Sequence, residues 1–385
     1  MASEAAEIAK KGWLSHTGFT VMPIHGEDVF TAALRRAREL FEMDQPITVG
    51  FSGGKDSTCV LMIMLMVARE LGRLPLEVAM VDEEVLDPDT IAYSFEVAKW
   101  PDINFRWLCI PIKHTLRSQL RTHWYTWDPA ERDKWAREIP EGAITLDDLQ
   151  GYDKEDTGYG DAIAAYYRQY HDWPVRVHVT GIRVEESLNR RRTIMNSGSW
   201  LHKHSHEWLT KPIYDWKWQD VWKSIIQNGW PHSVYYDKVW MKGVSMKDQR
   251  IGPWGNVASS RETRFYPEFY PDFWAKAIVR LPELRAMARY GSTKMYRARA
   301  NKPEGITWRE FCMQILQSLD DESRVFWLNQ IEGYLRRWKN RTTLPFPDEP
   351  VKVEGEKTWQ SSWRTLAVII DKNDRFKGRI SRDVW

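Results

Sequence analysis

Six consecutive residues, Ser52-Gly53-Gly54-Lys55-Asp56-Ser57, carry the strongest chemical signal in the sequence. Two adjacent glycines let a backbone close around an anion with no Cβ in the way. Lys55 brings a full positive charge, and Ser52 and Ser57 bring hydroxyl donors. Residues 47–51 form a short β-favouring run before them, and a helix is expected from Asp56 to near Gly72, a good residue just past a helix end. A helix N-terminus facing such a loop favours phosphate. The spacing differs from a Walker A loop, which needs four residues between its first glycine and Gly-Lys-Ser/Thr. Phosphate chemistry in another kind of loop is therefore expected.

A second chemical stretch runs from Thr180-Gly181-Ile182-Arg183 through Glu186 to Arg190-Arg191-Arg192. Gly181 permits a sharp turn, and Arg183 and Arg190 are suited to a two-pronged grip on phosphate or sulfate oxygens. Glu186 can pair with one arginine and hold it in place. Asp82 closes an apolar run at 76–81, where a carboxylate can accept from a ribose hydroxyl or help hold Mg²⁺; a solvated acidic loop is the plainer alternative. His202, His204 and His206 alternate, so an extended backbone would place them on one face. No carboxylate or cysteine is ordered to complete a metal site there, which favours a solvated or phosphate-facing loop over a metal centre.

These residues need elements to position them. Apolar spacing predicts a helix over 27–43, strands at 47–51, 76–81, 103–110 and 175–179, and a helix over 90–99. Strand, crossover helix and strand make a βαβ unit and hence a parallel sheet. In such a sheet ligands bind outside the carboxyl ends of the strands, where the glycine-rich loop, Asp82 and Gly181 all fall. Residues 114–160 read as an insertion beside the sheet, with Trp124, Trp127 and Trp135 either packing it or lining a pocket. Beyond 260 the sequence suggests amphipathic helices at 308–316, 324–339 and 359–371, with a proline-rich turn at 342–350.

The Ser-Gly-Gly-Lys-Asp-Ser string resembles the PP-loop of the ATP pyrophosphatase superfamily. Together with the Asp closing the second strand and the Gly-x-Arg…Glu-Ser…Arg stretch, it looks like the phosphoadenosine phosphosulfate reductase and ATP sulfurylase small-subunit branch. Lys211-Pro212-Ile213-Tyr214-Asp215-Trp216 and Asp220-Val221-Trp222 continue that likeness. Tyr235-Tyr236-Asp237-Lys238 and Gln249-Arg250-Ile251-Gly252-Pro253 resemble the closing segment of its subgroup related to immunoglobulin-binding regulator A. The resemblance implies an α/β fold like the adenine nucleotide alpha-hydrolases: a five-stranded parallel sheet with helices on both faces, here followed by a mainly helical C-terminal region. It implies nucleotide binding by Ser52, Gly53, Gly54, Lys55, Asp56, Ser57, Asp82, Gly181, Arg183 and Glu186. Lys55, Arg183 and Arg190 are the candidate catalytic residues. The implied ligand is ATP or phosphoadenosine phosphosulfate with Mg²⁺, and the implied reaction is cleavage between the α and β phosphates to adenylate a substrate, or sulfur transfer. True reductases of this branch use a cysteine near the C-terminus. The last cysteine here, Cys312, lies in an amphipathic segment and reads as structural, so reductase activity is not expected. The alternative is a regulatory or DNA-associated module that kept nucleotide binding.

At 385 residues the chain can bury a large core, and 43% hydrophobic with 28% charged residues suits a globular protein. A net charge of +2 excludes global attraction to nucleic acid and leaves only local patches. One such patch spans 276–302, where Lys276, Arg280, Arg285, Arg289, Lys294, Arg297, Arg299 and Lys302 face a single acid, Glu283. It is either a nucleic-acid or partner surface or a solvated helix face. Three widely spaced cysteines point to a reducing compartment. The apolar run at 59–68 is too short for a membrane span, and Glu4 and Glu7 interrupt any signal-peptide pattern, so a cytoplasmic location is expected. The expected organisation is an N-terminal segment at 1–25, a nucleotide-binding domain at 26–260 and a basic, helical region at 261–385.

Overall fold

The β-favouring run ahead of the glycine-rich loop is β1 (Ile47–Gly50) and lies at the centre of a seven-stranded sheet in the computed structural model. The structure describes residues 27–115, 123–152, 159–170, 176–197, 199–204, 207–255, 262–290, 302–340, 342–350 and 362–371. The chain forms two compact units, Met1–Ser292 and Thr293–Trp385.

In the first unit, α1 (Val29–Glu42) begins where the Asp28 carboxylate accepts from the N–H groups of Phe30 and Thr31. After β1 comes α2 (Lys55–Glu70), which stops at Leu71 with Gly72 beyond it at φ 65°, a left-handed exit that suits glycine. Cys59, Val60, Leu61, Ile63, Met64, Leu65, Val67 and Ala68 are all buried along α2. A helix apolar on nearly every side must be covered on nearly every side, and α1, the sheet and α6 (Trp218–Asn228) cover it. Each of the Val, Leu, Ile and Met side chains among them contributes roughly 1.5–3 kcal/mol on burial.

The remaining sheet strands of this unit are β2 (Leu76–Val81), β3 (Ile103–Cys109), β6 (Ile144–Thr145), β7 (Arg176–Val179), β8 (Leu201–His204) and β9 (Glu207–Thr210). Their order is β6-β3-β2-β1-β7-β9-β8, with every neighbouring pair parallel except β8 and β9. Five parallel strands, β3-β2-β1-β7-β9, match the expected sheet, and two edge strands extend it. β8 is the alternating-histidine segment, which forms a hairpin edge with His202 opposite Leu209 rather than a loop. His206 lies outside the described residues. Helices flank both faces: α3 (Pro88–Ala98) sits on the side of Phe51, Phe105 and Trp107, and α4 (Tyr159–Tyr170) sends Ile163, Tyr166 and Tyr167 against Ala79, Val81 and Leu108 on the other.

The insertion carries a short antiparallel pair, β4 (Lys113–Thr115) with β5 (His123–Tyr125). Its tryptophans pack: Trp124 and Trp127 are buried, and Trp127 meets Trp135 edge to face. After α5 (Leu188–Ser197), α6 and α7 (Tyr235–Met241), three short helices, α8 (Tyr266–Phe269), α9 (Pro271–Arg280) and α10 (Leu284–Tyr290), complete the first unit. Arg280 of α9 is fully buried and forks onto Glu84, which removes it from the expected basic surface. Lys294, Arg297 and Arg299 lie outside the described residues.

The second unit packs α11 (Trp308–Ser318), α12 (Asp321–Lys339) and α13 (Trp363–Asp371) around Cys312, Trp327, Ile331 and Leu366.

Candidate functional site

β1 is flanked by β2 on one side and β7 on the other, so the chain's progress across the sheet reverses at β1 and β7. A crevice opens at such a switch point, outside the carboxyl ends of the strands. The two stretches singled out in the sequence leave β1 and β7 there.

The first stretch is a tightly braced loop. Gly53 has φ 71°, and a Cβ there would lie 2.5 Å from Thr90 Cγ2, so both conformation and space demand glycine. Ser57 Oγ accepts from Ser52 N–H at 3.2 Å and donates to Gly54 O at 2.9 Å, which closes the turn on itself. Gly54 is the N-cap of α2 and brings no side-chain acceptor to the first-turn N–H groups. That leaves a helix terminus suited to an anion. The Lys55 N–H donates to Tyr236 Oη at 2.9 Å, and Lys55 Nζ donates to Gln249 O at 2.9 Å and lies 3.4 Å from Asp56 Oδ2.

The second stretch packs directly against the first. A Cβ on Gly181 would fall 2.8 Å from the Asp56 carbonyl carbon and oxygen and 2.9 Å from Ser57 N, so only glycine lets the two backbones meet. Arg183 Nε donates to Asp56 Oδ1 at 2.5 Å, while its Nη1 reaches Glu185 Oε2 at 3.3 Å and Trp216 O at 3.2 Å. Glu186 Oε2 accepts from Arg183 N–H at 3.1 Å and also pairs with Arg190. Arg250 Nη2 donates to Glu186 O at 2.8 Å. Lys55, Arg183, Arg190 and Arg250 thus ring the α2 terminus, with Asp56, Glu185 and Glu186 between them.

This charge pattern sets the ionisation of the loop. Burial pulls the Lys55 ammonium down, Asp56 opposes that shift, and Arg183 and Arg250 add to it. Burial would raise Asp56, but Lys55 and Arg183 outweigh it and hold the carboxyl below its ordinary range. Asp56 therefore stays ionised and fixes both buried cations beside the α2 terminus.

The acidic triplet after β2 has three fates. Asp82 is fully buried: Trp107 Nε1 donates to it at 2.6 Å, Glu84 N–H at 2.8 Å, and Arg137 pairs with it. Its carboxylate is turned into the protein, unlike the ribose-facing group read from the sequence. Glu83 lies 3.7 Å from His114 Nε2, and burial, then the Asp82 charge, pushes its carboxyl up to about 8. Glu84, at φ 60°, accepts from Trp127 N–H and Ala136 N–H and pairs with Arg280. Among the described residues no three His, Cys, Asp or Glu side chains converge on a metal position.

Tyr236, Gln249 and Arg250 complete the surroundings of Lys55, and sequence reading gave them no role at the site. Their only signal was membership of the two segments, 235–238 and 249–253, that carried the family likeness. Tyr236 is buried, and burial holds its phenol well above the ordinary value, so it keeps a proton to donate.

The phosphoadenosine phosphosulfate reductase domain model matches residues 46–254, more than half of the chain, and the chain belongs to that family. A second model, a domain of unknown function (DUF3440), matches residues 243–352. The protein YbdN of Escherichia coli (strain K12), itself uncharacterised, is 25% identical over 350 residues, covering 85% of this chain and 84% of YbdN. Among solved structures, phosphoadenylyl-sulfate reductase from Candida auris is 13% identical with a TM-score of 0.36, covering 66% of this chain and 97% of that one. FMN adenylyltransferase from Candida glabrata is 11% identical with a TM-score of 0.36, covering 61% and 68%. Scores this low carry no argument, and membership rests on the family model. No helix among the described residues is long and apolar enough to cross a membrane.

Proposed function

We propose that this protein binds an adenine nucleotide, ATP or phosphoadenosine phosphosulfate, with its phosphates in the Ser52–Ser57 loop against the N-terminus of α2. The observation that carries the reading is the α2 terminus at the sheet's switch point, whose N-cap glycine brings no side-chain acceptor, ringed by Lys55, Arg183, Arg190 and Arg250. The first-turn N–H groups after Lys55 and the Lys55 ammonium would take phosphate oxygens, and Tyr236, which already accepts from Lys55 N–H, would add a hydroxyl donor. Arg190, with 42% of its side chain exposed, is the cation best placed to meet a substrate, whereas Arg183 acts by holding Asp56 and the turn. Asp82 contributes through Arg137 rather than by touching the nucleotide.

The reaction we favour is displacement at the α phosphate of ATP, with pyrophosphate leaving into the loop and the adenylyl group passing to a substrate. Mg²⁺ would arrive bound to the phosphates, since Asp56 and Asp82 are already committed to cations and offer no pre-formed cage. Thiol-based reduction has little support here. Cys59, Cys109 and Cys312 are all buried, and burial raises each thiol, Cys312 to about 12. A second reading, a DNA-associated module, draws on the exposed Lys276, Arg285 and Arg289.

Incubation with α-labelled ATP and with sulfur-labelled phosphoadenosine phosphosulfate separates these readings by their products. AMP or an adenylylated adduct with released pyrophosphate supports adenylation, and sulfite release supports reduction. Binding of neither nucleotide, together with salt-sensitive DNA binding that survives Lys55→Ala, establishes the module instead.

A further inference from the structure

A second group of buried donors stands beside the loop, distinct from the residues proposed to hold the phosphates. Lys211 directly follows β9 and is 4% exposed, yet its Nζ has no hydrogen-bond partner among the described residues. Arg176 on β7 is as deeply buried; it pairs with Glu207 and lies 4.5 Å from the Tyr167 ring, and its Nη1 likewise has no hydrogen-bond partner among the described residues. Residues two apart on a strand share a face, so His178 stands on the face of Arg176, and Lys211 continues the row of Glu207 on the adjoining strand. Gly50 makes room for the imidazole, since a Cβ there would lie 3.1 Å from His178 Nε2.

The nearby carboxylates are already used. Glu207 is taken by Arg176, and Asp215 by Arg36, whose Nη1 also bonds Pro212 O at 2.7 Å. That clamp fixes the chain next to Lys211. A buried ammonium with no acceptor is costly, and a bound anion removes the cost. Burial pulls Lys211 down to about 8, which leaves most of it charged near neutral pH. His178 is pulled down to about 3 by burial, then by Arg176 and Lys211, so it is a neutral ring that can donate one N–H.

We propose that Lys211, Arg176 and His178 form a subsite for a tetrahedral oxyanion, sulfate or phosphate, beside the base of the glycine-rich loop. The ion is either free or carried by a nucleotide, and both sources present the same oxygens to the same donors.

The test uses the full chain in a Lys55→Ala background, so that the loop lysine cannot supply the response. Thermal unfolding is followed against inorganic sulfate and against phosphoadenosine phosphosulfate, with and without Lys211→Met. Saturating ligand is expected to raise Tm by about 2–4 °C in the parent and not in the Lys211→Met variant. A response to sulfate assigns the subsite to the free ion, and a response to the nucleotide alone assigns it to the nucleotide's own group. Lys211→Met without ligand should melt at or above its parent, because it removes an unpaired charge while keeping the volume. A ligand response that persists in Lys211→Met, no response to either compound, or a large fall in Tm on Lys211→Met alone each overturns the proposal.

Discussion

At the scale of single residues, the meeting of two loops depends on one missing methyl group. Gly181→Ala would drive a Cβ to 2.8 Å from the backbone of Asp56, and backbone cannot yield as a flexible side chain can. Overpacking of this kind costs about 1–3 kcal/mol. We expect urea unfolding to show that loss, with nucleotide affinity falling alongside it; unchanged stability would mean the loops do not touch. Arg183 makes a second residue-scale case. Its guanidinium joins Asp56, Glu185 and the Trp216 carbonyl, a fork that an ammonium cannot copy. Arg183→Lys should lose about 1–3 kcal/mol of stability and impair turnover nearly as much as Arg183→Ala. Wild-type stability and turnover in the lysine variant would show that the fork does nothing. The residue types at both positions were legible in the sequence. The partner of Arg183 was not, because Asp56 is 127 residues away and no local pattern encodes that pairing.

At the scale of elements, local chemistry was legible wherever it was self-contained. α2 stops just before Gly72 as its composition demands, and α1 starts behind Asp28, because capping and left-handed exits are decided by neighbouring residues. The β8 segment reads from sequence as a loop and the two-residue β6 gives no signal, since an edge strand is defined by its partner more than by its own residues. α3 offers a test through its cap. Asp87 accepts from Thr90 N–H at 2.8 Å, and burial pushes its carboxyl up to about 7 despite that bond. The folded state then keeps a proton that the unfolded chain releases near the ordinary value of 3.8. The stabilisation is therefore full below that value and is lost as pH rises toward 7, at up to roughly 1.4 kcal/mol per pH unit. Asp87→Asn keeps a cap and removes the proton, so it should flatten the decline of stability between about pH 4.5 and 7. An unaltered pH profile in that variant would place the titration elsewhere.

At the scale of the whole molecule, the sheet order explains why the site lies where it does. Strands laid down to either side of β1 bring Ser52–Ser57 and Gly181–Arg190 to one crevice, although about 130 residues separate them. The βαβ pattern allowed that juxtaposition to be anticipated. Closure of the loop by Tyr236, Gln249 and Arg250 depends on how the chain returns to the sheet after β9, which short-range periodicity does not contain. Likewise Arg280, which looked like a surface cation in a basic stretch, is drawn inside by a carboxylate 196 residues earlier in the chain. The central claim is that the crevice holds a nucleotide by its phosphates, and calorimetric titration of ATP and phosphoadenosine phosphosulfate into wild type and Lys55→Ala tests it most directly. Wild type should bind at least one of them at a single site, and Lys55→Ala should weaken that binding by about 1.5–3 kcal/mol, roughly 10- to 150-fold. Equal affinity in a Lys55→Ala protein whose unfolding matches wild type, or no binding of either nucleotide to wild type, would contradict it.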